Sequence, residues 1–287
     1  MKRSAAILLI TASAVAFAGC GSGEDGTTSG KDSAGNGAEG NAAEEVSSES
    51  TQAAEGAGGD ALADGMLTVG TNAEFPPFEF VGDDGEPDGF DIALIKAIGE
   101  KLGVDVEVDN MEFDSLVPSI GSKIDVAIAG MTVTDERKNM VDFSDEYYEA
   151  VQYVIVGADS DIASAADLEG KSIGVQLGTT GDFIVEDIKD ATAAQYNKAV
   201  DAVNDLRNGR VDAVIIDKNP AKVFGEQFGD EVKLYDGESA EFGFEKEYYA
   251  IALPKGDEAL AKAVNDALAE LKSDGTFDEL VKQYIEN

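Results

Sequence analysis

The 287-residue chain carries 21 Lys and Arg residues against 58 Asp and Glu residues, which gives a formal net charge of −37, and 43% of its residues are apolar. A surface this negative repels nucleic-acid phosphates and anionic lipid headgroups, because both kinds of binding need cationic side chains. The chain has no histidine, no tryptophan and a single cysteine, Cys20. This composition excludes a His-based triad, a His-ligated zinc site and an internal disulfide, so we expect no metal and no cofactor.

The first 20 residues are predicted to form a lipoprotein signal peptide. Lys2 and Arg3 precede an apolar stretch, residues 5–18, which is too short for a membrane span of about 20 residues. Ala18-Gly19-Cys20 resembles the end of a bacterial lipobox, in which the cysteine is acylated and becomes the mature N-terminus. That resemblance implies that Cys20 carries acyl chains such as palmitate. The acyl chains would hold the protein at the outer face of the cell membrane. The residues alone also fit an ordinary cleavage site beside a small residue.

Residues 21–65 are predicted to form a disordered acidic tether. The segment consists almost entirely of Gly, Ala, Ser, Thr, Asn, Glu and Asp and has no aromatic residue. Such a composition buries too little apolar surface to offset the entropy of ordering, and its acidic residues favour an extended chain. We therefore expect the folded part to begin near Met66.

From Leu67 onward, short β-branched runs alternate with amphipathic helical stretches, which predicts α/β layering with mostly parallel sheets. The predicted strands are Leu67–Thr71, Val104–Asn110, Val126–Ala129, Gln152–Val156, Ser172–Val175, Ala213–Ile216 and Tyr249–Leu253. The predicted helices are Phe90–Leu102, Asp114–Ser122, Asp135–Asn139, Lys198–Asn208, Ala221–Phe228 and Asp257–Ser273, the last with one buried face at Leu260, Val264, Ala267, Leu268 and Leu271.

Two segments repeat the same order of features. Residues 119–129 and residues 206–216 each end a helix, turn at a cationic residue and enter a strand, and polar residues follow both strands. Two similar units predict two lobes that face each other, with a cleft at the carboxyl ends of their strands. The alternative is a coincidence of strand-entry patterns that all α/β proteins share.

Several residues could hold a free amino acid, whose carboxylate and ammonium both need partners when they leave water. Arg137 follows a strand end, and its planar guanidinium can take a carboxylate through two parallel hydrogen bonds. Asp217 could accept from the ammonium, residues 178–181 could offer backbone N–H groups, and Phe75 and Phe113 could enclose an aliphatic stem. Each also has a plainer interpretation: a solvated cation for Arg137, a helix cap for Asp217, and core packing for the phenylalanines.

Together and in this order, the motifs of the chain resemble the family 3 bacterial extracellular solute-binding proteins, which bind polar amino acids. The resemblance covers residues 67–285 and depends on residues 70–79, 89–94, 129–137, 141–144 with Tyr147, 174–180 and 211–214. It implies a type II periplasmic-binding-protein-like fold, in which two α/β lobes are joined by a two-strand hinge with the ligand cleft between them. The implied bounds are 66–146 plus 252–287 for lobe 1, 152–246 for lobe 2, and 147–151 and 247–251 for the hinge.

The resemblance also implies a role for each site residue. Arg137 would clamp the carboxylate with the backbone around Thr132 and Thr180, and Asp217 would take the ammonium with Gly130 and Thr132. The remaining implied ligand-binding residues are Phe75 and Phe113, which would flank the side chain, Asn72, Glu74 and Gln176, which would face it, and Ala129 and Thr179 in the same motifs.

The resemblance implies a monomeric binding protein, not an enzyme, that passes its cargo to the transmembrane permease subunits of an ABC importer. Relatives that bind basic amino acids often have an acidic residue where Asn72 stands, so glutamine is favoured, followed by arginine or lysine and then cystine. Two alternatives remain open. One is a prephenate- or arogenate-type dehydratase with Glu74 as its general acid, and the other is a ligand sensor that signals through a separate partner.

Overall fold

A computed structural model describes residues 62–286. In that part of the chain the strands are β1 Met66–Thr71, β2 Glu74–Phe75, β3 Glu79–Val81, β4 Pro87–Asp88, β5 Asp105–Asn110, β6 Val126–Ala127, β7 Asp142–Phe143, β8 Tyr148–Gly157, β9 Ser172–Gln176, β10 Thr192–Tyr196, β11 Ala213–Asp217, β12 Val232–Asp236, β13 Lys246–Tyr249 and β14 Ala252–Leu253. The helices are α1 Phe90–Leu102, α2 Phe113–Ser119, α3 Asp135–Met140, α4 Thr180–Asp187, α5 Ala199–Arg207, α6 Lys218–Phe228, α7 Glu258–Asp274 and α8 Thr276–Tyr284.

The first lobe is built on a sheet with the strand order β5-β1-β6-β14-β7. Helix α1 lies between two glycines, Gly89 at its start and the left-handed Gly103 at its end, and α7 and α8 pack against it. Helix α7 begins where the Asp257 side chain accepts from the Leu260 N–H, and its buried residues are those that the sequence predicts. The C-terminal segment therefore returns to the lobe in which the fold began.

The second lobe is built on a sheet with the order β10-β9-β11-β8-β12. One strand in each sheet runs opposite to the others: β8 here and β14 in the first lobe. These are the strands that bring the chain in from the other lobe. They enter without a helical crossover, and this explains why two sheets predicted to be mostly parallel each contain an antiparallel strand.

A two-stranded ribbon joins the lobes. Strand β13 pairs antiparallel with the first half of β8, from Lys246 opposite Val151 to Tyr249 opposite Tyr148. The predicted single strand Tyr249–Leu253 is wrong, because β13 pairs with β8 whereas β14 pairs with β6 and β7. Between them the Ala250 N–H donates to the Met131 carbonyl and the Ile251 N–H to the Ser144 hydroxyl, so both buried donors are satisfied outside a strand.

Two predicted helix boundaries differ from the observed ones by three residues, which is almost one helical turn. Helix α2 ends at Ser119 rather than Ser122, because the chain turns at Gly121 with φ 74°. Helix α6 begins at Lys218 rather than Ala221, and Pro220 lies in its first turn, where no intrahelical N–H is needed.

Cys20, the predicted signal peptide and residues 21–61 of the predicted tether lie outside the described residues. Residues 62–65 form a turn in which the Gly65 N–H donates to the Leu62 carbonyl, and Leu62 packs against the apolar core. Within residues 62–286 no helix has the length and apolar character that a membrane span requires.

Candidate ligand-binding site

A small cavity lies where the two lobes meet. Four of its lining residues lie at or just after strand ends: Asn72 comes after β1, Gly130 after β6, Gln176 ends β9 and Asp217 ends β11. This is the position that open α/β sheets give to ligands. The complete lining consists of Asn72, Phe75, Glu79, Phe113, Ala129, Gly130, Thr132, Arg137, Gln176, Thr179, Thr180 and Asp217.

Arg137 lies in the first turn of α3, where the Thr134 hydroxyl caps the helix by accepting from the Arg137 N–H. Only 5% of the arginine is exposed. Its guanidinium donates to the Thr132 carbonyl at 2.7 Å and to the Gly178 carbonyl at 2.9 Å, and it lies 5.3 Å from the Phe113 ring centre. Burial lowers its pKa to about 10, so Arg137 remains a cation in the cavity wall at neutral pH.

Asp217 stands at the N-cap position of α6, yet its side chain makes no capping hydrogen bond. Instead its carboxylate accepts from the Tyr249 hydroxyl at 2.5 Å. Burial, followed by the charge of Glu247, raises the pKa of Asp217 from 3.8 to about 7. The helix-cap interpretation of Asp217 therefore fails, and its carboxyl group is available to the cavity.

The loop before α4 brings the second lobe to the same cavity. Gly178 has φ 75°, and the Thr179 side chain caps α4 by accepting from the Asp182 N–H. Thr180, the first helical residue, is 8% exposed. Within residues 62–286 no group of three or more Asp, Glu, His or Cys side chains is arranged to hold a metal ion.

Hydrogen bonds join the lobes directly across the cavity. The Gln176 amide of the second lobe donates to the Asn72 side-chain oxygen at 2.8 Å, and the Asn72 amide donates to the Met111 carbonyl at 2.8 Å. The Arg137 bond to Gly178 also crosses from one lobe to the other. In this structure both ends of the Asn72 side chain are therefore engaged by protein groups.

The sequence profile of the bacterial extracellular solute-binding proteins, family 3, matches residues 67–287. The chain belongs to this family. It is 35% identical to the L-cystine-binding protein TcyJ of Escherichia coli (strain K12), over 77% of this chain and 83% of TcyJ. It is 36% identical to the arginine-binding extracellular protein ArtP of Bacillus subtilis (strain 168), over 76% of this chain and 86% of ArtP.

A solved structure of an ancestral arginine-binding protein bound to glutamine is also similar. It is 44% identical, has a TM-score of 0.71, and the match covers 78% of this chain and 99% of that one. The fold is accordingly that of a type II periplasmic binding protein with two α/β lobes. As a member of this family, the chain is a solute-binding protein and not an enzyme. Both relatives are named as binding proteins for amino acids, and the family consists of extracellular proteins.

All the residues that the sequence assigns to the site line this cavity, with one exception. The exception is Glu74, which forms an ion pair with Lys198 of the second lobe at 2.5 Å, and both side chains are partly exposed. Glu74 is the one acid that the dehydratase alternative proposed, and it does not line the cavity.

Sequence reasoning missed Glu79, which lines the cavity from β3 and is fully buried. No N–H or hydroxyl group in the described part of the chain donates to its carboxyl group, whose hydrogen-bonding neighbour is the buried carboxyl group of Asp91. Burial first, and the neighbouring charge of Asp91 second, hold the pKa of Glu79 well above its usual value. A glutamate between Phe78 and Phe80 reads as the solvent face of a strand, so the local pattern gave no signal of this burial.

Asp91 is next to Glu79 and holds the backbone of Gly130, which lines the cavity. Its carboxylate accepts from the Gly130 N–H at 2.7 Å and from the Tyr147 hydroxyl at 2.8 Å. Burial raises the pKa of Asp91 to about 6, although these two hydrogen bonds oppose the rise. Of this pair, Asp91 has donors for a carboxylate, whereas Glu79 has none, so Glu79 is the one that binds a proton more readily.

Proposed function

We propose that this protein captures a polar amino acid between its lobes and delivers it to the transmembrane permease subunits of an ABC importer. One observation carries the proposal: a buried guanidinium from the first lobe and a buried carboxyl group from the second line the same small cavity. Arg137 suits the carboxylate of a free amino acid, and Asp217 suits its ammonium. The backbone around Thr132 and Thr180 would supply further donors for the carboxylate.

Lobe closure would couple capture to delivery. A ligand that contacts both Arg137 and Asp217 gains its full set of interactions only when the lobes meet, and this difference in affinity is what stabilises a closed state. The proposed lobes are residues 66–146 with 252–287, and residues 152–246. They would turn about hinges at 147–151 and 247–251, which contain the paired part of β8 and β13.

The contacts of Asn72 and Glu79 support a cationic cargo over a neutral one, which reverses the order that Asn72 suggests from the sequence. Asn72 is engaged by Gln176 and Met111, whereas Glu79 accepts from no N–H or hydroxyl donor in the described residues and lies against the carboxyl group of Asp91. A cation at the end of the ligand's side chain would lower the raised pKa of Glu79 and favour its ionised form. Arg137 and Asp217 balance the charges of the amino-acid headgroup, so Glu79 is left to pair with a cation on the side chain. We therefore propose arginine or lysine first, glutamine second and cystine third, with Phe75 and Phe113 flanking the aliphatic stem.

Calorimetric titration tests both parts. The full chain, stripped of bound amino acid by unfolding and refolding, should bind at least one of arginine, lysine, histidine, glutamine and cystine. Glu79→Gln should weaken arginine binding about tenfold to 100-fold, the range for a hydrogen bond to a charged group, and should affect glutamine less. Glu86→Gln, at an exposed position near β4, is the matched control. Glutamine binding that exceeds arginine binding in the wild type would refute the cationic cargo.

We further propose that the protein is a monomeric lipoprotein anchored through acylated Cys20. A formal net charge of −37 repels anionic headgroups, so attachment would depend on the acyl chains. In cell fractionation, Cys20→Ser should move the protein from the membrane to the soluble fraction. A variant that stays with the membrane would place the anchor elsewhere.

A further inference from the structure

A single carboxylate oxygen on the hinge collects donors from both lobes. Oε2 of Glu247, on β13, accepts from the Thr132 hydroxyl at 3.0 Å, the Thr180 hydroxyl at 2.8 Å and the Gln152 amide at 3.1 Å. Thr132 belongs to the first lobe, whereas Gln152 and Thr180 belong to the second. Glu247 itself does not line the cavity, but both threonines do.

The direction of these hydrogen bonds decides what the threonines can offer to a ligand. A hydroxyl has one hydrogen, and a carboxylate can only accept, so Thr132 and Thr180 each donate that hydrogen to Glu247. The Gln152 amide also donates to the Thr180 oxygen at 3.1 Å, which takes up one of its lone pairs. What remains for the cavity is acceptor capacity, mainly on Thr132. An acceptor suits an ammonium and disfavours a carboxylate.

Strand β13, which carries Glu247, also holds the backbone of Thr132. Thr132 forms an antiparallel bridge with Tyr249, and the Val133 N–H donates to the Tyr248 carbonyl at 2.9 Å. The strand that carries Glu247 therefore positions both the chain and the side chain of Thr132. Arg137 contacts the same residue through the Thr132 carbonyl, whereas Glu247 contacts its hydroxyl.

We propose that Glu247 is a positioning residue that sets the polarity of the headgroup site. By holding the hydroxyl hydrogens of Thr132 and Thr180, it turns these side chains into acceptors for the ligand's ammonium and leaves the carboxylate to Arg137 and the backbone. Glu247 acts through the threonines and does not contact the ligand. This inference rests on the proposed function, because it assigns a residue to the amino-acid site described there.

The test compares an amino acid with an analogue that lacks only the α-ammonium. The full chain is titrated with L-arginine and 5-guanidinopentanoate, and with L-glutamine and its des-amino analogue. The preference for the amino acid should fall about tenfold or more in Glu247→Ala, because the freed hydroxyls can then donate to a carboxylate and no longer present only acceptors. Glu247→Gln should keep most of the preference, since its amide oxygen still accepts from the hydroxyls.

Glu149→Ala is the matched control, because Glu149 lies on the paired strand β8, is exposed and forms an ion pair with Lys246 at 2.6 Å. It should change the preference less than threefold. Equal preference in Glu247→Ala and Glu149→Ala would overturn the inference, even where overall affinity falls. If Glu247→Ala does not fold, the result depends on Glu247→Gln, and loss of the preference in that variant would overturn the inference. A wild type that binds none of arginine, lysine, histidine, glutamine and cystine would instead refute the proposed function itself.

Discussion

Acidification should weaken amino-acid binding, because Asp217 must lose a proton to pair with the ligand's ammonium. In the ligand-free cavity its pKa is raised from 3.8 to about 7, first by burial and then by the charge of Glu247. An ammonium beside the carboxylate favours the ionised form and brings this pKa down again. Binding below about pH 7 therefore releases a proton, and the affinity falls as the pH falls.

The pKa sets the size of the effect. Each pH unit below the pKa of Asp217 in the ligand-free protein lowers the binding free energy by about 1.4 kcal/mol, or about tenfold in affinity. At pH 5, about two units below the pKa of Asp217, the dissociation constant should be about 100-fold larger than its plateau above pH 8. A cationic ligand would also displace the proton of Glu79, whose pKa is held well above its usual value, and this second proton would steepen the pH dependence for arginine and not for glutamine.

Isothermal titration calorimetry measures how the affinity for L-arginine and for L-glutamine changes with pH. The titrations run between pH 5 and pH 8 at constant ionic strength. Buffers of different ionisation enthalpy report the number of protons released. Asp217→Asn should bind more weakly at pH 8 and should lose the pH dependence that glutamine binding shows in the wild type. A glutamine affinity that stays constant within threefold across this range, with no proton released, would refute the reasoning.

Three further results are expected. Arg137→Ala should weaken amino-acid binding by about 3–5 kcal/mol in the same titration, the range for a buried charge left without its partner, and a loss below tenfold would exclude Arg137 from the site. The ligand-free protein should melt at a higher temperature at pH 5 than at pH 7, because Asp91 and Asp217 have pKa values raised to about 6 and about 7 and bind protons more tightly when folded; an unchanged or lower midpoint would contradict this. Lys198→Ala should change affinity less than threefold, since its ion pair with Glu74 is partly exposed.

Sequence reasoning succeeded where the signal is local. Helix α1 was predicted with its observed bounds, because glycines flank it on both sides and its apolar residues repeat with helical spacing. The buried face of α7 followed from the same spacing. The polar ends of β1, β6, β9 and β11 were recognised because strand ends and family motifs are both continuous in the sequence.

Three features depended on groups that are distant in the chain. The break between β13 and β14 exists because β13 pairs with β8 in the ribbon between the lobes whereas β14 pairs with β7 in the first lobe, and periodicity does not show pairing partners. Glu74 forms an ion pair with Lys198, which is distant in the chain, whereas Glu79 lines the cavity. The donors that surround Glu247 likewise come from both lobes and from three separate segments.

The sequence by itself determined the family, the two-lobed α/β fold and most of the residues that line the cavity, because these follow from local spacing and motif order. Only the tertiary structure decided which carboxyl groups are buried, which have donors and which pKa values move. Burial depends on all the atoms that surround a group, and those atoms come from both lobes. The charge balance of the cavity, and with it the proposed preference for a cationic cargo, is therefore a property of the assembled fold.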